Sequence, residues 1–200
     1  LNPLNLKQIK ILSKKKNRFD FFKNYKYLKI INIGRLVFQK DHLTLLKALN
    51  KVKNMINFRL IIIGEGSEKN NLLNFINKNN LQKNIKIIKF QKNPFTLINK
   101  SDLFILSSRY EGLPNVLLEA ASLKRFIISS KCPTGPSEIL LNGKYGLLFD
   151  VEDYKTLSRQ IIKFYHMPKN KKKEISNKLY NSLYKYDLKN NLEKYFNILN

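Results

Sequence analysis

Two glutamates, Glu111 and Glu119, stand with seven residues between them, on either side of Gly112, Leu113 and Pro114. Pro114 suits the first turn of a helix, where its missing N–H would have had no partner. The amides of Asn115 and Val116 then precede the helix's own hydrogen-bond ladder, at the positive end of its dipole, and suit a phosphate. Glu119 lies five residues past Pro114, roughly 7.5 Å along the axis at 1.5 Å per residue. One ligand can therefore offer a phosphate to the amides, one group to Glu111 and another to Glu119. The same spacing also describes a buried helix with two solvated glutamates, so it does not choose by itself. Arg35 and Lys40 are the cations suited to a diphosphate, Arg as a planar fork and Lys as a point charge. In so basic a chain these two, taken alone, read more readily as solvated charges.

The elements that must position these residues alternate. Apolar strand patterns cover 29–33, 58–63, 85–89, 103–106, 126–129 and 146–149, and helical patterns cover 41–54, 67–79, 94–99, 114–123, 136–142 and 153–165. Asp41, Ser67 and Asp153 read as helix caps. Continuous apolar strands divided by helices predict a parallel sheet covered on both faces, a doubly wound, Rossmann-like α/β domain of about six strands. Such a sheet binds ligands at the carboxyl ends of its strands. The segments with chemistry fall there: Gly34-Arg35, Gly64-Glu65-Gly66, Glu111-Gly112 and Thr134-Gly135. Lys69 stands where a GxGxxG pattern needs its last glycine, which disfavours NAD. Residues 1–27 read as linker and lead-in helix, 28–166 as the nucleotide-binding domain, and 167–200 as a lysine-rich tail with helices at 175–184 and 188–199.

The run from Glu111 to Ala120, EGLPNVLLEA, resembles the Glu–x7–Glu signature of the retaining GT-B glycosyltransferases of family 4. Residues 33–41 resemble that family's phosphate-binding loop, 63–66 its second strand end, and 132–140 and 143–148 its closing segment. The resemblance implies a nucleotide sugar as donor, UDP-linked, with no metal and no other cofactor. It places Gly34, Arg35, Lys40 and the amides of Asn115 and Val116 on the diphosphate, and Glu119 on the ribose hydroxyls. It places Glu111, Gly112 and Leu113 on the donor sugar, with Glu111 as the catalytic residue of a hexosyl transfer. The acceptor it implies is a glycan or lipid-linked glycan of a cell-surface polysaccharide, lipopolysaccharide or glycoprotein. In the family an N-terminal half binds that acceptor, and the last helix crosses back onto it. The chain starts at Leu1 rather than methionine, so the expectation is a donor-binding half whose acceptor half lies upstream. Asp41 and Lys124 depart from the family, which often has glycine at both positions.

The formal net charge of +24, from 38 Lys and Arg against 14 Asp and Glu, draws the chain to polyanions. An anionic membrane surface is one such partner, although abundant Lys, Asn and Ile also fit a purely compositional origin. A nucleic-acid binder should interleave aromatics with its basic residues, and most aromatics here fall at core positions or in the C-terminal helices, so nucleic acid is not expected. A glycoside hydrolase using Glu111 and Glu119 has no use for a phosphate cradle. A donor-binding subunit without turnover stays open as an alternative. The lone Cys132 excludes an internal disulfide and reads as a buried filler in a reducing, cytoplasmic setting at the membrane face. No Asp-x-Asp metal motif is convincing, and His42 and His166 read as capping or surface residues.

Overall fold

The computed structural model describes residues 4–16, 19–23 and 26–186. Helix α1 (Leu6–Ser13) leads into strand β1 (Leu28–Ile33). There follow α2 (His42–Val52), β2 (Phe58–Ile63), α3 (Lys69–Lys78), β3 (Ile85–Ile88), α4 (Phe95–Lys100), β4 (Leu103–Leu106), α5 (Asn115–Ser122) and β5 (Phe126–Ser130). Then come α6 (Pro136–Ile139), β6 (Leu147–Phe149), α7 (Tyr154–His166) and α8 (Lys169–Ser182). Every strand pairing is parallel, in the order β3-β2-β1-β4-β5-β6. The chain thus has the doubly wound α/β sheet that the strand–helix alternation predicts.

Alternate residues along each strand point to opposite faces, and here they feed two cores. Ile30, Leu60, Ile62, Ile105 and Ile128 pack beneath α2, α3 and α7. Ile31, Ile61, Ile63, Phe104 and Ile127 pack beneath α1, α4, α5 and α8. Because helices cover both faces, the strands are apolar on both sides.

The order of strands reverses between β1 and β4, and there the sheet opens. β1 and β4 pair only at Ile30–Leu103 and Ile31–Phe104. At the next position the buried Asn32 side chain donates from Nδ2 to the Ile105 carbonyl at 2.8 Å. A side chain has taken over from the backbone ladder, so the carboxyl ends of the two strands diverge into a crevice. Nothing in the strand pattern of the sequence marks Asn32 for this.

Several local expectations meet a different structure. Asp41 caps α2, accepting from the Thr44 N–H at 3.3 Å and from Thr44 Oγ1 at 2.8 Å. Asp153 likewise caps α7 through the Thr156 N–H at 2.8 Å. Ser67 caps nothing: α3 begins two residues later behind Glu68, with no side-chain cap. Pro114 is the residue before α5, in extended backbone, and the helix starts at Asn115. The lysine run 169–173 is the first turn of α8, not a loose tail. Asp41 and Lys124, where the family often has glycine, both have positive φ, 41° and 56°. Glycine takes that conformation at no steric cost, so each departure falls at a turn that forces it.

Residues on both sides of the expected 28–166 domain share its core. Leu4, Ile9 and Phe22 are buried in the second core, and so are Leu179, Leu183 and Tyr186. Through Tyr186 the C-terminal segment therefore packs on this domain's own sheet. The apolar stripe expected at 188–199, which the resemblance turns towards an upstream domain, lies outside the described residues.

Candidate functional site

Three loops leave the carboxyl ends of β1, β4 and β5 and are laced together. From the β1 loop, the Lys40 carbonyl accepts from Ser107 Oγ at 3.1 Å and the Gln39 carbonyl accepts from the Arg109 N–H at 2.8 Å. Gln39 Nε2 donates to the Tyr110 carbonyl at 3.0 Å. From the β5 side, Ser130 Oγ and Cys132 Sγ both donate to the Ser108 carbonyl, at 2.6 and 3.1 Å. Thr134 Oγ1 donates to the Glu111 carbonyl. Two glycines permit close backbone approaches here, Gly64 after β2 against the β1 loop and Gly135 after β5 against the β4 loop. A Cβ on Gly64 would lie 1.9 Å from the Gly34 carbonyl oxygen, and one on Gly135 would lie 1.9 Å from that of Gly112.

At the centre of the lacing is an ion pair that joins two of the expected site residues. Lys40 Nζ donates to Glu111 Oε1 at 2.6 Å, and Ser108 Oγ donates to the same oxygen at 2.6 Å. Both charged side chains are largely shielded, 16% exposed for Lys40 and 7% for Glu111. The lysine stem lies against Gly34, 3.4 Å from where a Cβ would be. Such a pair is expensive to desolvate and costly to break one-sidedly, so it fixes where both groups sit.

The remaining site residues are arranged as follows. The Arg35 side chain is exposed and has no ion-pair or hydrogen-bond partner among the described residues. Asn115 and Val116 are the first two residues of α5. Gly112 is exposed, with open space where a Cβ would stand. Leu113 and Val116 are partly buried against the second core, so each also has a packing role. Glu119 does not join the Lys40–Glu111 pair. It lines a separate cavity of about 330 Å³ with Asn115, Phe95, Gln8 and Leu12 of α1, and Asn5, which caps that helix. The lead-in helix thus supplies a wall of the site, which its sequence pattern did not suggest.

Burial raises the Glu119 carboxyl from its ordinary value of 4.5 to about 7. Between those values the folded chain holds a proton that the unfolded chain has released. Stability should therefore fall as pH rises from about 4.5 to about 7, on the order of 3 kcal/mol over the window. Glu119→Gln should flatten that dependence in denaturant titrations run from pH 5 to pH 8. An unchanged pH profile in the variant would mean that Glu119 ionises without cost.

Two further side chains escaped the sequence. Arg109 stacks its guanidinium over the Phe38 ring at 4.0 Å from the centroid and pairs with Asp41 at 3.6 Å and with Glu152. It ties the β4 loop to the β1 loop and to the turn before α7. His42, expected as a capping or surface residue, is 2% exposed, with neither ring nitrogen hydrogen-bonded. Burial first, and the Lys40 charge second, lower it to about 4, so it is a neutral core residue. Cys132 is buried, as expected of a filler, and also donates into the loop lacing.

A model of the glycosyl transferases group 1 family matches residues 13–182. The chain belongs to that family. It is 44% identical over 146 residues to an uncharacterized glycosyltransferase of Methanocaldococcus jannaschii, covering 66% of this chain and 35% of the relative. It is 35% identical over 140 residues to the amylovoran biosynthesis glycosyltransferase AmsD of Erwinia amylovora, covering 70% and 38%. Among solved structures, S. aureus TarM in complex with UDP superposes with a TM-score of 0.79 at 24% identity, over 88% of this chain and 36% of that one. At that identity the likeness shows the fold. The chain spans little more than a third of the length of these relatives. The fold is that of one half of a GT-B glycosyltransferase, and the loops just described lie where a doubly wound sheet binds its ligands.

Proposed function

We propose that this domain holds the nucleotide-sugar donor, UDP-linked, of a retaining hexosyl transfer to a glycan or lipid-linked acceptor in cell-surface polysaccharide synthesis. The observation that carries the proposal is the shielded Lys40–Glu111 pair at the crevice where β1 and β4 diverge. A diphosphate entering between Arg35, Lys40 and the start of α5 meets a fork, a point charge and a helix dipole in one place. As the anomeric bond breaks, negative charge grows on the departing diphosphate, and in this reading these groups receive it. Lys40 shifts its hydrogen bonds from Glu111 towards that oxygen. Ser108 keeps Glu111 oriented at the donor sugar, where the carboxylate meets the reacting centre. Glu119, in its own cavity beyond the phosphate amides, takes the ribose hydroxyls.

The UDP in complex with TarM and the amylovoran biosynthesis role of AmsD support the donor and the acceptor class. In this reading the acceptor binds an N-terminal half that closes over the strand ends and excludes water. Cations and amides meet the diphosphate charge without a metal, so EDTA should leave UDP binding unchanged. A subunit that binds the donor and does not turn it over is the second reading, and it has the same site.

Arg35→Ala and Lys40→Ala should each weaken UDP binding by about 1.5–3 kcal/mol, the worth of a hydrogen bond to a charged group. Uridine, which has no phosphate, should bind equally to all three proteins. Arg35→Ala is the cleaner variant, because that side chain is exposed and has no partner whose loss could disturb the fold. Equal losses for UDP and uridine by calorimetry would sink the phosphate assignment.

A further inference from the structure

The opposite end of the sheet, at the amino ends of the strands, holds a cavity of about 690 Å³ that the donor site does not use. Six cationic residues line it, Lys26, Lys124, Arg125, Lys169, Lys172 and Lys173, against one carboxylate, Asp102. Asp102 is already engaged, accepting from the Lys29 N–H at 2.9 Å. Arg125 is engaged too: its guanidinium donates to the carbonyls of Leu123, Asn99 and Ser101 at 2.8, 3.1 and 2.7 Å. Lys172 donates to the Tyr165 carbonyl at 3.2 Å and lies over the Phe164 ring. These two cations build the wall. Lys169 and Lys173 are exposed at its rim on α8, with no carboxylate partner among the described residues. Lys124 joins them from the turn between α5 and β5, lying over the Tyr180 ring.

Beneath the charges the lining is mixed, with Ser176 and Asn177 on one part and aromatic rings on another. Phe126 and Phe164 form its floor with ring centroids 4.8 Å apart, and Tyr165 stands at the mouth, 40% exposed. Cations around the rim over an aromatic floor fit an amphiphile: a phosphate on the lysines and an apolar body inside. Lysine stems that lie along apolar surface and keep their charge outward are the usual arrangement at a membrane interface. The wider surface agrees, since the chain's net charge is +24.

We infer that this cavity receives the phosphate headgroup of an anionic lipid and docks this end of the domain on a membrane, with the donor crevice at the far end of the sheet left open. The inference does not depend on the donor assignment. A soluble phosphate offers the same charge and lacks the apolar body; a nucleic acid offers repeated charge and needs a series of exposed rings to stack on, and of the aromatics lining this cavity only Tyr165 is exposed.

The test uses the 200-residue chain and sedimenting vesicles of phosphatidylcholine with and without phosphatidylglycerol. Lys124→Glu, Lys169→Glu and Lys173→Glu together should weaken binding to the anionic vesicles about a hundredfold, each lysine near an anionic surface being worth about a fivefold factor. The same charge change at Lys51, Lys78 and Lys155, exposed lysines outside the cavity, should alter it by less than about threefold. Lys169→Glu with Lys173→Glu alone is the fallback if the triple variant melts early, because both are exposed. The chain has no tryptophan, so Tyr165→Trp gives a single reporter. Its emission should shift to the blue with anionic vesicles, and stay unchanged with neutral vesicles or glycerol phosphate. UDP affinity should be the same in every variant, which separates this site from the donor site. Equal losses in the two charge-reversed triples would overturn the inference, as would a blue shift with glycerol phosphate. So would single-stranded oligonucleotide binding that depends on the same three lysines and displaces the vesicles.

Discussion

Glu119→Ala should weaken UDP binding by about 1.5–3 kcal/mol, whereas Glu111→Ala should leave it intact or tighten it by up to about tenfold. The asymmetry follows from where each carboxylate sits. Glu119 lies in the cavity beside α1 with Asn115, and its proposed partner is the ribose that UDP itself carries. Glu111 holds Lys40 at 2.6 Å in the free protein, so a diphosphate must share a cation that is already paired. Removing the carboxylate releases Lys40 to the phosphate. The sugar-bearing donor, which carries the same ribose, should lose affinity in both variants. In a protein that joins this domain to the acceptor-binding half proposed above, Glu111→Ala should lower transfer about 10²–10⁴-fold, the range for a group acting on the reacting atoms. Calorimetry with UDP and with the intact donor, beside a turnover assay, separates these outcomes. If Glu111→Ala abolishes UDP binding and Glu119→Ala does nothing, the pose is reversed.

Gly135→Ala should cost about 2–4 kcal/mol of stability and at least about tenfold in donor affinity. Two causes add. The residue has φ of 77°, which L side chains rarely adopt, and its Cβ would lie 1.9 Å from the Gly112 carbonyl oxygen and 2.7 Å from Pro114 Cδ. Neither neighbour is a flexible side chain that can swing away. The β4 loop carrying Glu111, or the start of α5, has to move instead. Gly143→Ala is the matched control: its φ is 88° and its Cβ would meet only Leu148, with Cδ1 at 3.6 Å. That variant should show the backbone strain alone, about 1 kcal/mol, with donor binding unchanged. Denaturant titration and calorimetry on both variants decide the point. Matching losses in the two would show that the approach of Gly135 to Gly112 has no bearing on the site.

Much of this architecture is local, and the sequence carries it. Runs such as Phe58–Ile63 are apolar at nearly every position because helices cover both faces of the strand. Asp41 and Asp153 are legible as caps because a cap needs only its own side chain and an N–H three residues on. Ser67 fails by the same logic: the chain first makes a turn at Gly66, and the helix begins too late for Ser67 to reach it. The strand ends also placed Gly34, Glu111 and Gly135 in one region, because a doubly wound sheet collects its loops there.

The sequence by itself determined six strands and their covering helices, and it gathered the candidate site residues at one end of the sheet, since these follow from periods of two and 3.6 residues and from single turn residues. Only the tertiary structure decided which strands are neighbours. That order sets β1 beside β4 and brings Lys40 to Glu111 across 71 residues of chain. It also decided that α1 walls the Glu119 cavity, that α8 folds its lysines against the amino ends of the sheet, and that His42 is buried and neutral. Those outcomes depend on which apolar faces meet and on how much water each meeting excludes, and a residue's near neighbours in sequence carry no record of either.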